Sequence, residues 1–242
     1  MGERLSSPSL DTAALRHVLS EAIADWTTHK DELRRLDAIL GDGDMGVTIE
    51  LAGAAILDVC AGFQGDDIGA LLVECGTQIN RQGPSTFGTL LAAAFTAVGT
   101  ATTGRPDIRV DELGYLGERA IEGIKARGRS DIGEKTLLDA IVPAVSALAL
   151  SLKEGRDAPE AIRAGLSAGE SGAEATRWMA ARHGRASYRR DGGQGELDAG
   201  ARAMYLLMQS VGGSLVAYCN AAALQPELPP LSGAHGVSPV LD

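Results

Sequence analysis

The sequence predicts an all-α domain of about eight helices running up and down, and three observations carry that prediction. Apolar residues recur at helical spacing in eight separate stretches. Aromatic residues make up only 4% of the 242 residues while alanine and leucine abound, a balance that favours helix over sheet. The 31 glycines follow no repeat, and helix faces made of alanine and glycine approach closely, as a compact bundle or barrel requires.

Each element has its own signal. Asp11 is a good N-cap for a first helix whose Leu15, Val18, Leu19, Ala22, Ile23 and Trp26 share one face. Val47, Ile49, Leu51, Ala54, Ile56, Leu57 and Val59 mark the second helix, which ends near Gly62. Ile68, Leu71, Leu72, Cys75 and Ile79 mark a third, and Leu90 to Val98 a fourth. A fifth carries Val110, Leu113, Leu116, Ala120, Ile121 and Ile124, with Gly128 as its C′ residue. Leu137, Leu138, Ile141, Val145, Leu148 and Leu152 give the sixth. The alanine-rich run from Pro159 to about Arg182 gives the seventh, with the proline in its first turn. The eighth runs from about Ala199 through Met204, Leu207, Met208, Val211 and Leu215 to Ala223. No stretch reads convincingly as strand. One domain is expected over residues 10–224, with a tail over 1–9 and a proline- and glycine-rich tail over 225–242.

Composition excludes several classes of function. A formal net charge of −10 argues against nucleic acid or an anionic membrane surface as a main partner. No apolar run reaches the ~18 residues of a membrane span, and the N-terminus lacks a secretory apolar core. Cys60, Cys75 and Cys219 are odd in number and far apart, so a reduced, cytoplasmic setting is expected.

Polar chemistry concentrates in four connectors: Asp37 to Gly46, Asn80 to Gly88, Gly128 to Thr136 and His183 to Gly200. Each follows an odd-numbered helix, so an up-and-down arrangement gathers all four at one end. In LDAILGDGDMG, Asp37, Asp42 and Asp44 stand within eight residues, and Gly41, Gly43 and Gly46 let the backbone turn sharply. The later ligands of an EF-hand are missing, and Mg²⁺ suits three carboxylates plus phosphate oxygens better. Spacing alone leaves a solvated Asp-Gly turn equally open. GRSDIGEKT fails as a Walker A loop, because Glu134 stands between Gly133 and Lys135 and the preceding segment reads as helix. The last connector carries Arg185, Arg189 and Arg190; Arg185 suits a phosphate, and Asp198 suits a helix cap or a ligand. His183 is the one histidine near this end. No Ser-His-Asp set or cysteine nucleophile is readable, so no catalytic side chain is named.

Taken together these connectors resemble the DhaL family, the nucleotide-binding subunit or domain of dihydroxyacetone kinases. LDAILGDGDMG resembles its L-D-x-x-x-G-D-G-D-H-G signature. GRSDIGEKTLLDAIVPA resembles its G-K-x-x-x-G-D-K-T-M-x-D-x-x-x-P segment, and HGRASYRRDGGQGELDAGA its K-G-R-A-S-Y segment. The likeness covers roughly residues 10 to 222. It implies an eight-helix antiparallel barrel that holds ADP or ATP through two Mg²⁺ ions on Asp37, Asp42 and Asp44. By position it implies that Met45, Gly46 and Thr48 flank the phosphates and that Gly128 and Leu137 line the nucleotide pocket. It also implies that Arg185 contacts the nucleotide, with Asp198 and Gly200 beside it. Gln82 and Gly83 occupy the place of small phosphate-binding residues, and Met45 replaces the signature histidine. These departures imply a divergent member, acting on another short ketose such as a tetrulose or with altered nucleotide handling.

The implied function is a kinase subunit that delivers a phosphoryl group to dihydroxyacetone or a related ketose held on a separate DhaK-type subunit. A DhaM-type phosphotransferase protein is a further expected partner. An ADP-binding regulatory module of the same family is the alternative, and the nucleotide domain of fatty-acid kinases is a more distant one.

Overall fold

The computed structural model describes residues 8–82 and 85–224. The chain enters through a short strand β1 (Ser9–Asp11), followed by α1 (Thr12–Thr27), α2 (Lys30–Leu40), α3 (Met45–Gly62), α4 (Ile68–Gln82) and α5 (Thr86–Ala101). It continues through β2 (Asp107–Arg109), α6 (Leu113–Gly128), α7 (Leu138–Lys153), α8 (Ala158–Ala175) and α9 (Ala199–Ala223). Asp11 caps α1 as expected, its carboxylate accepting from the Ala14 N–H at 2.8 Å.

Eight of these helices form a closed ring. α1 packs on α3, each helix from α3 onward packs on the next, and α9 returns to pack on α1. Neighbours run antiparallel. Trp26 Nε1, near the end of α1, donates to Ala203 O, near the start of α9, at 3.0 Å. Near the other end of the pair, Tyr218 donates to Ser9 O at 2.7 Å. Arg16 Nε likewise joins the start of α1 to Cys60 O near the end of α3. The apolar faces form one continuous core in which Trp26, Ile23, Ile49, Ile56, Ile124, Leu138 and Leu206 are fully buried.

Close approach between staves depends on glycine. A Cβ on Gly69 of α4 would lie 2.5 Å from Gly99 O and from the Thr103 backbone after α5, so these helices touch backbone to backbone. Gly69→Ala is therefore expected to cost about 1–3 kcal/mol through overpacking, measurable by urea unfolding.

The structure corrects several sequence expectations. α2 is a ninth helix, missed because Leu33 is its one fully buried residue and six of the eleven residues of KDELRRLDAIL are charged. Asp37 thus lies in the last turn of a helix rather than in a connector. β1 and β2 form a small antiparallel pair in register Ser9 to Arg109, too short to show a period of two, and β1 begins inside the expected N-terminal tail. α8 stops at Ala175, short of Arg182, and gives way to a 3₁₀ turn. Gly128 remains inside α6; the left-handed residue that ends the helix is Arg129, at φ +52°. α3 is also long and apolar enough to cross a membrane by composition, with a mean hydropathy of 1.5 over 18 residues, contrary to the sequence reading. Here it is a stave of the ring with half of that stretch buried. Gly83, residues 1–7 and the tail over 225–242 lie outside the described residues.

Candidate metal and nucleotide site

The antiparallel ring places the turn from α2 to α3, the start of α5, the α6–α7 connector and the α8–α9 connector at one end. At its centre stand Asp37, Asp42 and Asp44, each offering a carboxylate oxygen within 4.8 Å of the other two. Two glycines make this possible. A side chain on Gly41 would collide with the Asp37 carboxylate, and Gly43 takes φ +76°, where other L-residues are strained. The Met45 N–H points at Asp37 Oδ2, at 3.4 Å.

Three carboxylates so close repel one another. A pair of unit charges about 4 Å apart interacts with about 1 kcal/mol in water and about 4 kcal/mol at an effective dielectric of 20. Burial, followed by the charges of Asp42 and Asp37, accordingly pushes the Asp44 carboxyl above its ordinary value, with Arg185 opposing. Arg185 forms an ion pair with Asp42 across the connectors. One guanidinium leaves the trio in net negative excess. All its donors are hard oxygens, and Asp42 and Asp44 are exposed. This donor set fits a hard divalent cation that keeps positions open for water or phosphate.

On the Asp44 side of the trio, a hollow of about 180 Å³ is lined by Asp44, Val47, Thr48, Leu51, Ala52, Ile79, Ser85 and Gly88. Ser85 caps α5, its hydroxyl accepting from the Gly88 N–H at 2.9 Å. On the other side, Asp198 caps α9 by accepting from the Ala201 N–H at 2.7 Å. Burial raises the Asp198 carboxyl to about 6; Ala201 N–H and Lys135 oppose, while Asp139 and Asp37 add to the rise. A Cβ on Gly200 would lie 3.9 Å from the Leu137 N and from the Phe87 ring, so this segment meets the starts of α5 and α7.

Other expected residues are placed differently. The Met45 side chain is buried in the core, leaving only its backbone toward the trio. Gly46 is a packing residue, since a Cβ there would meet Lys30 O at 2.6 Å and Arg34 Cβ at 2.9 Å on α2. Leu137 has its side chain in the core, and Gly128 packs against Leu90. Gln82 lines a separate groove between α3 and α4, of about 570 Å³, with Asp58, Glu74 and Gln78.

Two residues to which the sequence reading gave no role in the site organise this end. Asp139, 1% exposed, accepts from the Gly133 N–H at 2.5 Å and the Thr136 N–H at 2.7 Å, folding the α6–α7 connector on itself. Lys135 donates to Thr176 O and Glu196 O, and the segment before GRSDIGEKT is helix α6 rather than the strand that precedes a Walker A loop. Burial lowers the pKa of this ammonium. The signal for Asp139 was its place three residues after Thr136, a side chain able to fold back on connector N–H groups.

Comparison with known proteins identifies the family. Residues 39–212 match the family model described as the DAK2 domain. The ADP-binding subunit DhaL of the PEP-dependent dihydroxyacetone kinase of Escherichia coli (strain K12) is 30% identical over 184 residues, covering 76% of this chain and 88% of that subunit. The chain belongs to the DhaL family. D-erythrulose kinase of Mycolicibacterium smegmatis is 30% identical over 214 residues, where the DhaL-like region is 35% of a longer enzyme. The dihydroxyacetone kinase of C. freundii, solved in complex with AMP-PNP and Mg²⁺, superposes with a TM-score of 0.63 at 22% identity. That match covers 88% of this chain and 36% of the larger one, and it bears out the all-α fold. The family's relatives are kinase subunits and kinases, so this DhaL-type chain is a kinase subunit.

Proposed function

We propose that this DhaL-type chain binds ADP or ATP through two Mg²⁺ ions and passes a phosphoryl group to a short ketose held on a separate DhaK-type subunit. The observation that carries the proposal is the convergence of Asp37, Asp42 and Asp44, with one arginine beside them, at the end where four connectors meet. Relatives named as ADP-binding subunits, and a structural neighbour solved with AMP-PNP and Mg²⁺, support the same ligand set.

In this reading Asp37, Asp42 and Asp44 hold the cations, which when bound neutralise the charge that builds on the transferring phosphoryl group. The start of α3, where the Met45 N–H already points at Asp37 Oδ2, favours negative charge, and Thr48 offers a hydroxyl in the adjoining hollow. Arg185 supplies the guanidinium for the phosphates. Gly128, Leu137, Asp198 and Gly200 border the rest of the nucleotide. Gln82 stays outside the proposal because it lines another groove. Phosphoryl transfer asks for positioning and charge rather than a covalent nucleophile on this chain.

The ketose belongs to the dihydroxyacetone or erythrulose class, on the strength of the relatives' named substrates. A DhaM-type protein that recharges bound ADP and an exchanging ATP are the two sources of the phosphoryl group. Cytoplasmic residence fits three free, buried cysteines. The deciding experiment supplies labelled ATP, or a phosphorylated DhaM-type protein, with a DhaK-type subunit and either ketose. Labelled ketose phosphate that requires this chain is the expected result. Tight ADP binding without transfer in any combination would replace this reading with the regulatory one.

A further inference from the structure

Between α8 and α9 the chain runs from Thr176 to Asp198, the longest connector among the described residues. The two ends of this loop meet at one side chain from elsewhere. Lys135 Nζ donates to Thr176 O at 2.6 Å and to Glu196 O at 2.5 Å, and the residue is only 3% exposed. Among the described residues no carboxylate forms an ion pair with it. A buried ammonium whose direct partners are two carbonyls, with Asp198, Glu196 and Asp139 acting on it only at longer range, is a costly way to fill space, and an apolar side chain of similar volume would fill it at lower cost.

The bonds continue from there. Thr176 Oγ1 donates to Ala173 O at 2.6 Å and accepts from the Asp198 N–H at 3.0 Å, so Lys135 is linked to the cap of α9. Glu134 grips the outer part of the same loop, with His183 Nε2 at 2.7 Å and the Arg182 N–H donating to Glu134 O at 3.2 Å. Asp139 fixes the connector on both sides of Lys135, which itself takes φ +61°. A non-glycine residue held in the left-handed region needs such surrounding constraint.

We infer that Lys135 is a positioning residue for the nucleotide site: it clasps the neck of the 176–198 loop and so sets Arg185 against Asp42 and Asp198 at the head of α9. The consequence for ligand binding rests on the Mg-nucleotide reading above; the clasp itself does not. Without the amine the loop neck opens, Arg185 and Asp198 lose their fixed places, and the aspartate trio, held by α2 and α3, is left intact.

The test compares the whole wild-type chain with Lys135→Met and Lys135→Gln, whose shorter amide cannot span both carbonyls. Hydrogen exchange is followed in the protein free of metal and nucleotide, and Mn²⁺ and Mg-ADP affinities are measured at a temperature where each variant is folded. Exchange across 177–195 is expected to rise about tenfold or more, because the loop opens locally. Mg-ADP affinity should fall about tenfold, since the nucleotide must then order the loop, while Mn²⁺ alone binds within about twofold of wild type. Unchanged loop exchange and unchanged Mg-ADP affinity in a variant that is merely less stable would overturn the inference. So would a parallel loss of Mn²⁺ binding, which would mean general damage. Should one substitution fail to fold, the other decides. If the wild type binds no Mg-ADP, the functional reading falls, while the exchange data still judge the clasp.

Discussion

Asp37→Asn is expected to weaken Mg²⁺-dependent ADP binding by about 100-fold while leaving the metal-free protein at least as stable as wild type. The two effects have one cause. Each carboxylate of the trio lies close enough to its neighbours for a repulsion of about 1–4 kcal/mol, depending on the local dielectric. Without a cation that repulsion is unrelieved except by Arg185 at Asp42. Asparagine keeps an oxygen for the Met45 N–H and the helical backbone of α2, so the fold loses little and sheds one like charge. For a bound cation the balance reverses, since an anionic ligand becomes a neutral one, and about 3 kcal/mol corresponds to the expected 100-fold loss. Calorimetric titration with Mg-ADP and urea unfolding in chelator measure the two halves. A variant that loses metal-free stability and keeps ADP affinity would mean that Asp37 is structural only.

The second large effect concerns pH. A carboxyl whose pKa is higher in the folded chain than in the unfolded chain binds protons more readily when native. Its contribution is therefore fully present below the unfolded value and is lost as pH rises through the folded one. Asp198 is such a group, raised from 3.8 to about 6 chiefly by burial. Asp44 is shifted in the same direction. Glu112, Asp131, Glu134 and Asp191 are held below their ordinary values by hydrogen bonds and basic partners, and so add stability as pH rises. Their contribution is complete only about a unit above the unfolded values, near pH 5.5, and up to there it opposes the loss from the raised groups. The Asp198 contribution to the stability of the metal-free protein should fall by on the order of 2 kcal/mol between about pH 4.5 and 7, and above about pH 5.5 the lowered groups no longer offset it. Asp198→Asn should flatten most of that slope without losing the helix cap, because asparagine caps as well as aspartate. Urea unfolding of both proteins across this range checks the prediction; equal slopes would place the titration elsewhere.

What the sequence revealed follows the range of the interactions involved. The eight staves were legible because each buries a stripe of apolar residues, as α1 does from Leu15 to Trp26. α2 was not, because its stripe is short and thin: only Leu33 is fully buried and Leu36 partly so, among six charged residues. The aspartate cluster was legible because its three members lie within eight residues and the glycines that bend the chain lie between them. The role of Lys135 was not legible for the opposite reason: its partners are 41 and 61 residues away, and its chemistry exists only once α8 and α9 have docked. Gly128 was assigned the helix stop on propensity, yet Arg129 takes the left-handed turn and leaves the glycine to pack against Leu90. Met45 likewise shows that a position in a motif does not fix a side chain's direction, since its thioether joins the core.

The most direct measurement is the melting temperature of the as-purified, chelator-treated chain with ADP, with Mg²⁺ and with both. A ligand at about 100 times its dissociation constant stabilises the native state by about 2.7 kcal/mol, or several degrees for a chain of this size. The account predicts such a rise with ADP and Mg²⁺ together, a small one with Mg²⁺ alone, and almost none with ADP alone, whose charge faces three carboxylates. An ADP-induced rise that is the same with and without Mg²⁺, or no rise at millimolar concentrations of both, would contradict it.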